Sequence, residues 1–125
     1  MYAAPMSTTR CAGLLLSVDP GLRACGVALW RDGELLRACA IRGGTEGRGP
    51  DVWRSLAASV VNWVEASLAD GESGVVLVET MKVYAQGRAD PADLVELAGV
   101  SGAIVGRLGW RAEGVQHAGQ LHQVG

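Results

Sequence analysis

Two acidic residues stand out because each closes an apolar run. Leu14-Leu15-Leu16-Ser17-Val18 leads into Asp19, and Val75-Val76-Leu77-Val78 leads into Glu79. A charged group placed directly after a buried strand must be solvated, paired or metal-bound. If the two strands are neighbours, the carboxylates point into one crevice and repel each other unless a cation sits between them. Mg²⁺ suits such a place, since it takes hard oxygen ligands and keeps several waters. A pair of such ions about 3.5–4 Å apart activates water and stabilises the leaving oxygen in phosphodiester cleavage. The plainer reading of Asp19 is a turn, because Asp19-Pro20-Gly21 is a common turn tripeptide. Gly21 also lets a ligand approach the backbone.

The elements that would position these groups can be read from the pattern. Residues 14–18 form a short buried strand, and residues 25–30 a second. Asp32-Gly33 between apolar runs signals a hairpin into a third strand over 35–41, giving an antiparallel meander. A flexible glycine loop, 43–49, follows. Val52, Trp53, Leu56, Val60, Trp63, Val64 and Leu68 then recur at helical spacing, with Pro50 and Asp51 in the first turn and Asp70-Gly71 at the end. Trp53 and Trp63 fall on the apolar face of this helix, as core or dimer interface. Residues 75–78 are a fourth strand. Asp90 is a good N-cap with Pro91 behind it, for a helix rich in small residues that reaches about Arg107 and closes at Gly109. Capping explains Asp90 and Asp93 better than metal ligation does. Residues 110–115 give a fifth strand. A right-handed crossover makes the later strands parallel to the first.

The 125 residues fit one domain. Residues 1–12 read as a loose tail, 13–116 as the domain and 117–125 as an irregular tail. No apolar run approaches the ~20 residues that span a bilayer, and the start makes a poor signal peptide, so a cytoplasmic protein with no membrane partner is expected. Cys11, Cys25 and Cys39 form an odd set without close pairs, as expected of buried reduced thiols. The net charge of −2 creates no global basic field, though a local patch suffices for nucleic acid. Lys82 is the one lysine. Arg42 and Arg48 flank the glycine loop and read as solvated, or as part of a basic rim.

The segment SVDPGLRACGVALWRDGELL resembles the opening of the RNase H-like superfamily, in particular the RuvC-type Holliday-junction resolvases. In those proteins an Asp-Pro-Gly follows the first strand and a glycine begins the next. VVLVETMKVYAQGRADPADLVELAGVSGAIVG is similar to the second block of phage-type RuvC-like proteins: a strand ending in Glu, a Val-Tyr loop, and an Asp-Pro-x-Asp-Leu helix. The likeness spans about residues 13–115. It implies an α/β fold with a mixed five-stranded sheet, a three-strand antiparallel meander plus two parallel strands, flanked by helices. It implies a metal-dependent crossover-junction endodeoxyribonuclease, with Asp19 and Glu79 as catalytic metal ligands and Mg²⁺ or Mn²⁺ as cofactor. A homodimer that cleaves branched DNA, a four-way junction, comes with it. In the loop 81–88, Lys82 and Arg88 would contact phosphates and Tyr84 would stack on an unpaired base. An ordinary solvated loop, with Tyr84 folded back onto the core, is the alternative.

The RuvC-type site is completed by an acidic pair, or an acid and a histidine, on a C-terminal helix. Here no Asp or Glu follows Glu113, and the tail carries His117, Gln120 and His122. Three readings stay open: a truncated relative with an incomplete, weak or inactive site; a ligand supplied by a dimer partner; or a non-catalytic DNA-binding or assembly module. A YqgF-like RNA-processing nuclease is a further alternative, with a similar Asp-x-Gly opening. An actin-like ATPase would need phosphate loops and a second subdomain for which the chain has no room.

Overall fold

A computed structural model of the chain describes residues 13–44, 46–79 and 90–115. Within these, the elements run β1 (Leu14–Asp19), β2 (Ala24–Arg31), β3 (Glu34–Arg42), α1 (Pro50–Glu65), β4 (Gly74–Glu79), α2 (Pro91–Leu108) and β5 (Arg111–Val115). One five-stranded sheet has the order β3-β2-β1-β4-β5. β1, β2 and β3 pair antiparallel, whereas β4 runs parallel to β1 and β5 parallel to β4. This is the expected meander joined to two parallel strands. The β2–β3 hairpin turns on Asp32 and Gly33, both at positive φ (51° and 85°), the geometry of the two-residue turn that matches strand twist.

Alternation along the strands divides the sheet into two faces. Leu14, Leu16, Val18, Cys25, Val27, Leu29, Val76 and Val78 are buried on one face. Leu56, Val60 and Val64 of α1 and Val100 and Ile104 of α2 join them in one core. Truncating Leu16, which has no exposure, to alanine should cost about 2–5 kcal/mol. β1 sits in the middle of the sheet between β2 and β4, and its last residue, Asp19, pairs with Gly26 of β2.

Three expectations are adjusted. α1 ends at Glu65, short of Asp70-Gly71. The chain tightens there into three-residue turns, Ser67 N–H to Val64 O and Leu68 N–H to Glu65 O. Arg37 of β3 donates to Ser67 Oγ and to the Trp63 carbonyl, a backbone acceptor that a further helical turn would have used. Cys25 is buried as expected, but Cys39 is exposed, because β3 is the outermost strand and only its Ile41 is buried. Cys11 lies outside the described residues. Arg48 is not simply solvated: it bridges to Asp93 at 2.5 Å. No helix among the described residues is long and apolar enough to cross a membrane.

Candidate functional site

β1 and β4 are adjacent, and their register runs from Leu14↔Gly74 to Val18↔Val78. Asp19 and Glu79 are the next residue on each strand. Val18 and Val78 both face the helices and are buried, so alternation turns Asp19 and Glu79 together onto the opposite face. Adjacent strands lie about 4.8 Å apart, which sets the backbone separation of the two carboxylate-bearing residues. Asp19 is exposed; Glu79 is half-buried, flanked by β5, where it pairs with Val115. On its other side Asp19 pairs with Gly26 of β2.

The backbone around Asp19 is tightly built. A Cβ on Gly21 would lie 2.2 Å from the carbonyl oxygen of Ala24, so the glycine is needed for the return of the chain into β2. The space that the sequence suggests for a ligand is therefore taken by the protein's own backbone. Cys25 is the buried residue next to Gly26, and its thiol is pushed up by burial, moderated by a hydrogen bond with the Gly21 backbone and raised further by the Asp19 charge. On the same sheet face as Asp19, Trp30 Nε1 donates to Ser17 Oγ, which donates to the Ala28 carbonyl, both at 3.4 Å.

Two carboxylates in this arrangement offer hard, anionic oxygens. That donor chemistry fits Mg²⁺ or Mn²⁺, which protein sites often hold through one or two carboxylates plus substrate phosphate oxygens. Among the described residues no cluster of three or more His, Cys, Asp or Glu is placed to hold a metal. Asp90 is a cap, its Oδ1 accepting from Ala92 N–H at 2.9 Å, and Asp93 is held by Arg48. Asp90 therefore caps as expected, whereas Asp93, also expected to cap, is taken up by the ion pair with Arg48. Lys82, Tyr84 and Arg88, the expected DNA contacts, lie outside the described residues, as do His117, Gln120 and His122.

Sequence reasoning did not single out Glu113 or Arg23. Glu113 pairs with Leu77, which puts it on the face of Glu79, where it forms an ion pair with Arg111 at 3.1 Å. Arg23 lies in the loop leaving Asp19 and lines a cavity with Arg42 and Arg48. Only the strand register reveals the first, and only the packing of two loops reveals the second.

The fold compares closely with RuvC. A structure of T. thermophilus RuvC in complex with Holliday junction substrate superposes with a TM-score of 0.66 at 14% identity, covering 89% of this chain and 68% of that one. The chain has the RuvC-like fold. A second Thermus thermophilus RuvC structure gives a TM-score of 0.58 at 13% identity, covering 82% of this chain and 63% of that one. No protein-family model matches the sequence, and no curated protein sequence does. The RuvC-like sheet order accounts for the site's placement: it brings the ends of β1 and β4 side by side although they are sixty positions apart, 19 and 79.

Proposed function

We propose that this chain is a metal-dependent, structure-specific DNA endonuclease of the RuvC type, acting on four-way junctions as a homodimer. The observation that carries the reading is the in-register placement of Asp19 and Glu79 on one sheet face at the ends of adjacent parallel strands. The RuvC-like fold, and the Holliday junction substrate with which T. thermophilus RuvC was solved, support DNA as the ligand.

In this mechanism Asp19 and Glu79 hold Mg²⁺ or Mn²⁺. The bound metal supplies charge stabilisation at the scissile phosphate and a nucleophilic water at neutral pH. The protein's own work is positional. The paired strands fix the two carboxylates before substrate arrives, and the tight Gly21 turn holds Asp19 against Gly26. Lys82, Tyr84 and Arg88 complete the reading as contacts to phosphates and to an unpaired base.

The test is Mn²⁺-dependent cleavage of a synthetic four-way DNA junction, set beside a single-stranded RNA precursor. Asp19→Asn and Glu79→Gln should each abolish cleavage, and each should remove the rise in melting temperature that Mn²⁺ produces without DNA. RNA cleavage in place of junction cleavage would favour the YqgF-like alternative. Junction binding that neither variant alters, with no cleavage by the wild type, would leave a non-catalytic binding module.

A further inference from the structure

A cavity of about 630 Å³ opens at the same end of the sheet as Asp19. Its walls are two loops. Leu22 and Arg23 belong to the loop that leaves Asp19, while Arg42, Gly43, Glu46 and Arg48 belong to the end of β3 and the loop into α1. Val52 and Leu56 of α1 form an apolar floor, 8% and 2% exposed. Gly43 lies so close to α1 that a Cβ there would come within 3.0 Å of the Leu56 nitrogen, so the loop is pressed onto the helix.

The charged groups of this cavity are of two kinds. Arg48 and Glu96 are committed to the framework. Arg48 bridges to Asp93 at 2.5 Å, and Glu96 accepts from Gly49 N–H at 3.0 Å and from Trp53 Nε1 at 2.9 Å. Arg23 and Arg42 form no ion pair among the described residues. The one other acid in the lining, Glu46, sits on the exposed loop.

We propose that this cavity is a phosphate subsite for a nucleic-acid strand, with Arg23 and Arg42 as its cationic contacts. The sheet register sets its distance from the carboxylates. Asp19 pairs with Gly26, which pairs with Ala40, and Ala24 pairs with Arg42. Arg42 therefore stands two strands away and one pleat further toward the sheet end, a backbone separation on the order of 10 Å. Val52 and Leu56 place the cavity on the helix side of the sheet, whereas Asp19 and Glu79 face the other side, so a strand whose scissile phosphate lies at the carboxylates reaches the arginines by passing over the sheet end beside Arg42. Guanidinium suits this task, because its planar fork of donors matches phosphate oxygens. The assignment of the strand rests on the nuclease reading; the affinity of the arginines for a phosphodiester does not.

The experiment uses the full chain and a fluorescently labelled synthetic four-way DNA junction, in EDTA so that cleavage plays no part. Arg23→Ala/Arg42→Ala should bind at least ten-fold more weakly at low salt. Its log affinity against log salt should be shallower by about 1.8, the release expected for two phosphate contacts. Arg23→Lys/Arg42→Lys should recover most of the slope, and Glu46→Gln should tighten binding. Circular dichroism and the melting temperature establish that the variants fold. Unchanged affinity and slope in a folded double alanine variant overturn the proposal, as does a wild type that binds no junction. Absence of cleavage by the wild type with Mn²⁺ overturns the nuclease reading alone, since the arginine subsite is judged on binding.

Discussion

Trp53 of α1 lies against Gly99 of α2, so close that a Cβ at position 99 would sit 2.3 Å from ring carbon Cε2. The indole nitrogen is anchored as well, donating to Glu96 one turn earlier on α2. The small-residue stretch of α2 thus serves helix–helix packing.

Gly99→Ala should therefore destabilise the domain, despite the better helix propensity of alanine. Overpacking of this kind costs about 1–3 kcal/mol, against about 1 kcal/mol gained from propensity. A Trp53→Leu background removes the obstructing ring, and there Gly99→Ala should be neutral or stabilising. Urea unfolding of the two singles and the double measures this coupling. Additive effects would show that the ring swings aside freely.

Acid should weaken one identifiable link. Arg31 grips Glu72 through two hydrogen bonds, at 2.6 and 3.1 Å. With help from Ala69 N–H, this holds the Glu72 carboxyl at about 2, below its ordinary value of 4.5. A carboxyl depressed in the folded state stabilises above its unfolded pKa and loses that contribution as pH falls through its folded pKa. The link between β2 and the approach to β4 is then present above about pH 4.5 and fades toward pH 2. Urea midpoints of the wild type should fall over this window more steeply than those of Glu72→Gln. Parallel curves for the two proteins would remove the pair from the account of acid stability.

The strands themselves and the place of each carboxylate at a strand end were legible because each rests on local rules, whereas the residues alone leave the adjacency of β1 and β4 conditional, and the sheet order gives it. Buried parallel strands read as continuous apolar runs, Asp32-Gly33 marks its hairpin, and Asp90, Pro91 and Gly109 mark the ends of α2 with conformations that only a few residue types favour. What escaped is non-local. Nothing near Arg23 announces that its loop will meet the loop carrying Arg42 and Gly43, and Arg48 finds Asp93 across forty-five positions of chain. The exposure of Cys39 has the same origin. Its run, Ala38-Cys39-Ala40, reads as core, and only its place on the outer strand brings it to the surface.

The thiols should accordingly differ in reactivity. Cys39 is exposed on β3, whereas Cys25 is buried and its thiol is pushed up by burial, which lowers its thiolate fraction. Under native conditions iodoacetamide should label Cys39 and spare Cys25, and both should label in urea, as read by peptide mass mapping. Fast native labelling of Cys25 would show that the β1–β2 end of the core opens readily.

Structure and chemistry at the strand ends should separate cleanly by mutation. Gly21→Ala places a methyl within reach of the Ala24 carbonyl, a backbone atom that cannot rotate away, so the loop must shift. That strain should lower stability by about 1–3 kcal/mol and displace Asp19. Asp19→Asn has the reverse profile. The side chain is exposed, so its amide costs little in packing. Asp19→Asn should melt close to the wild-type temperature, bind junction DNA in EDTA as before and fail to respond to Mn²⁺. Gly21→Ala should melt lower and keep a reduced Mn²⁺ response. If Asp19→Asn instead unfolds like Gly21→Ala, Asp19 serves the turn and the metal assignment falls.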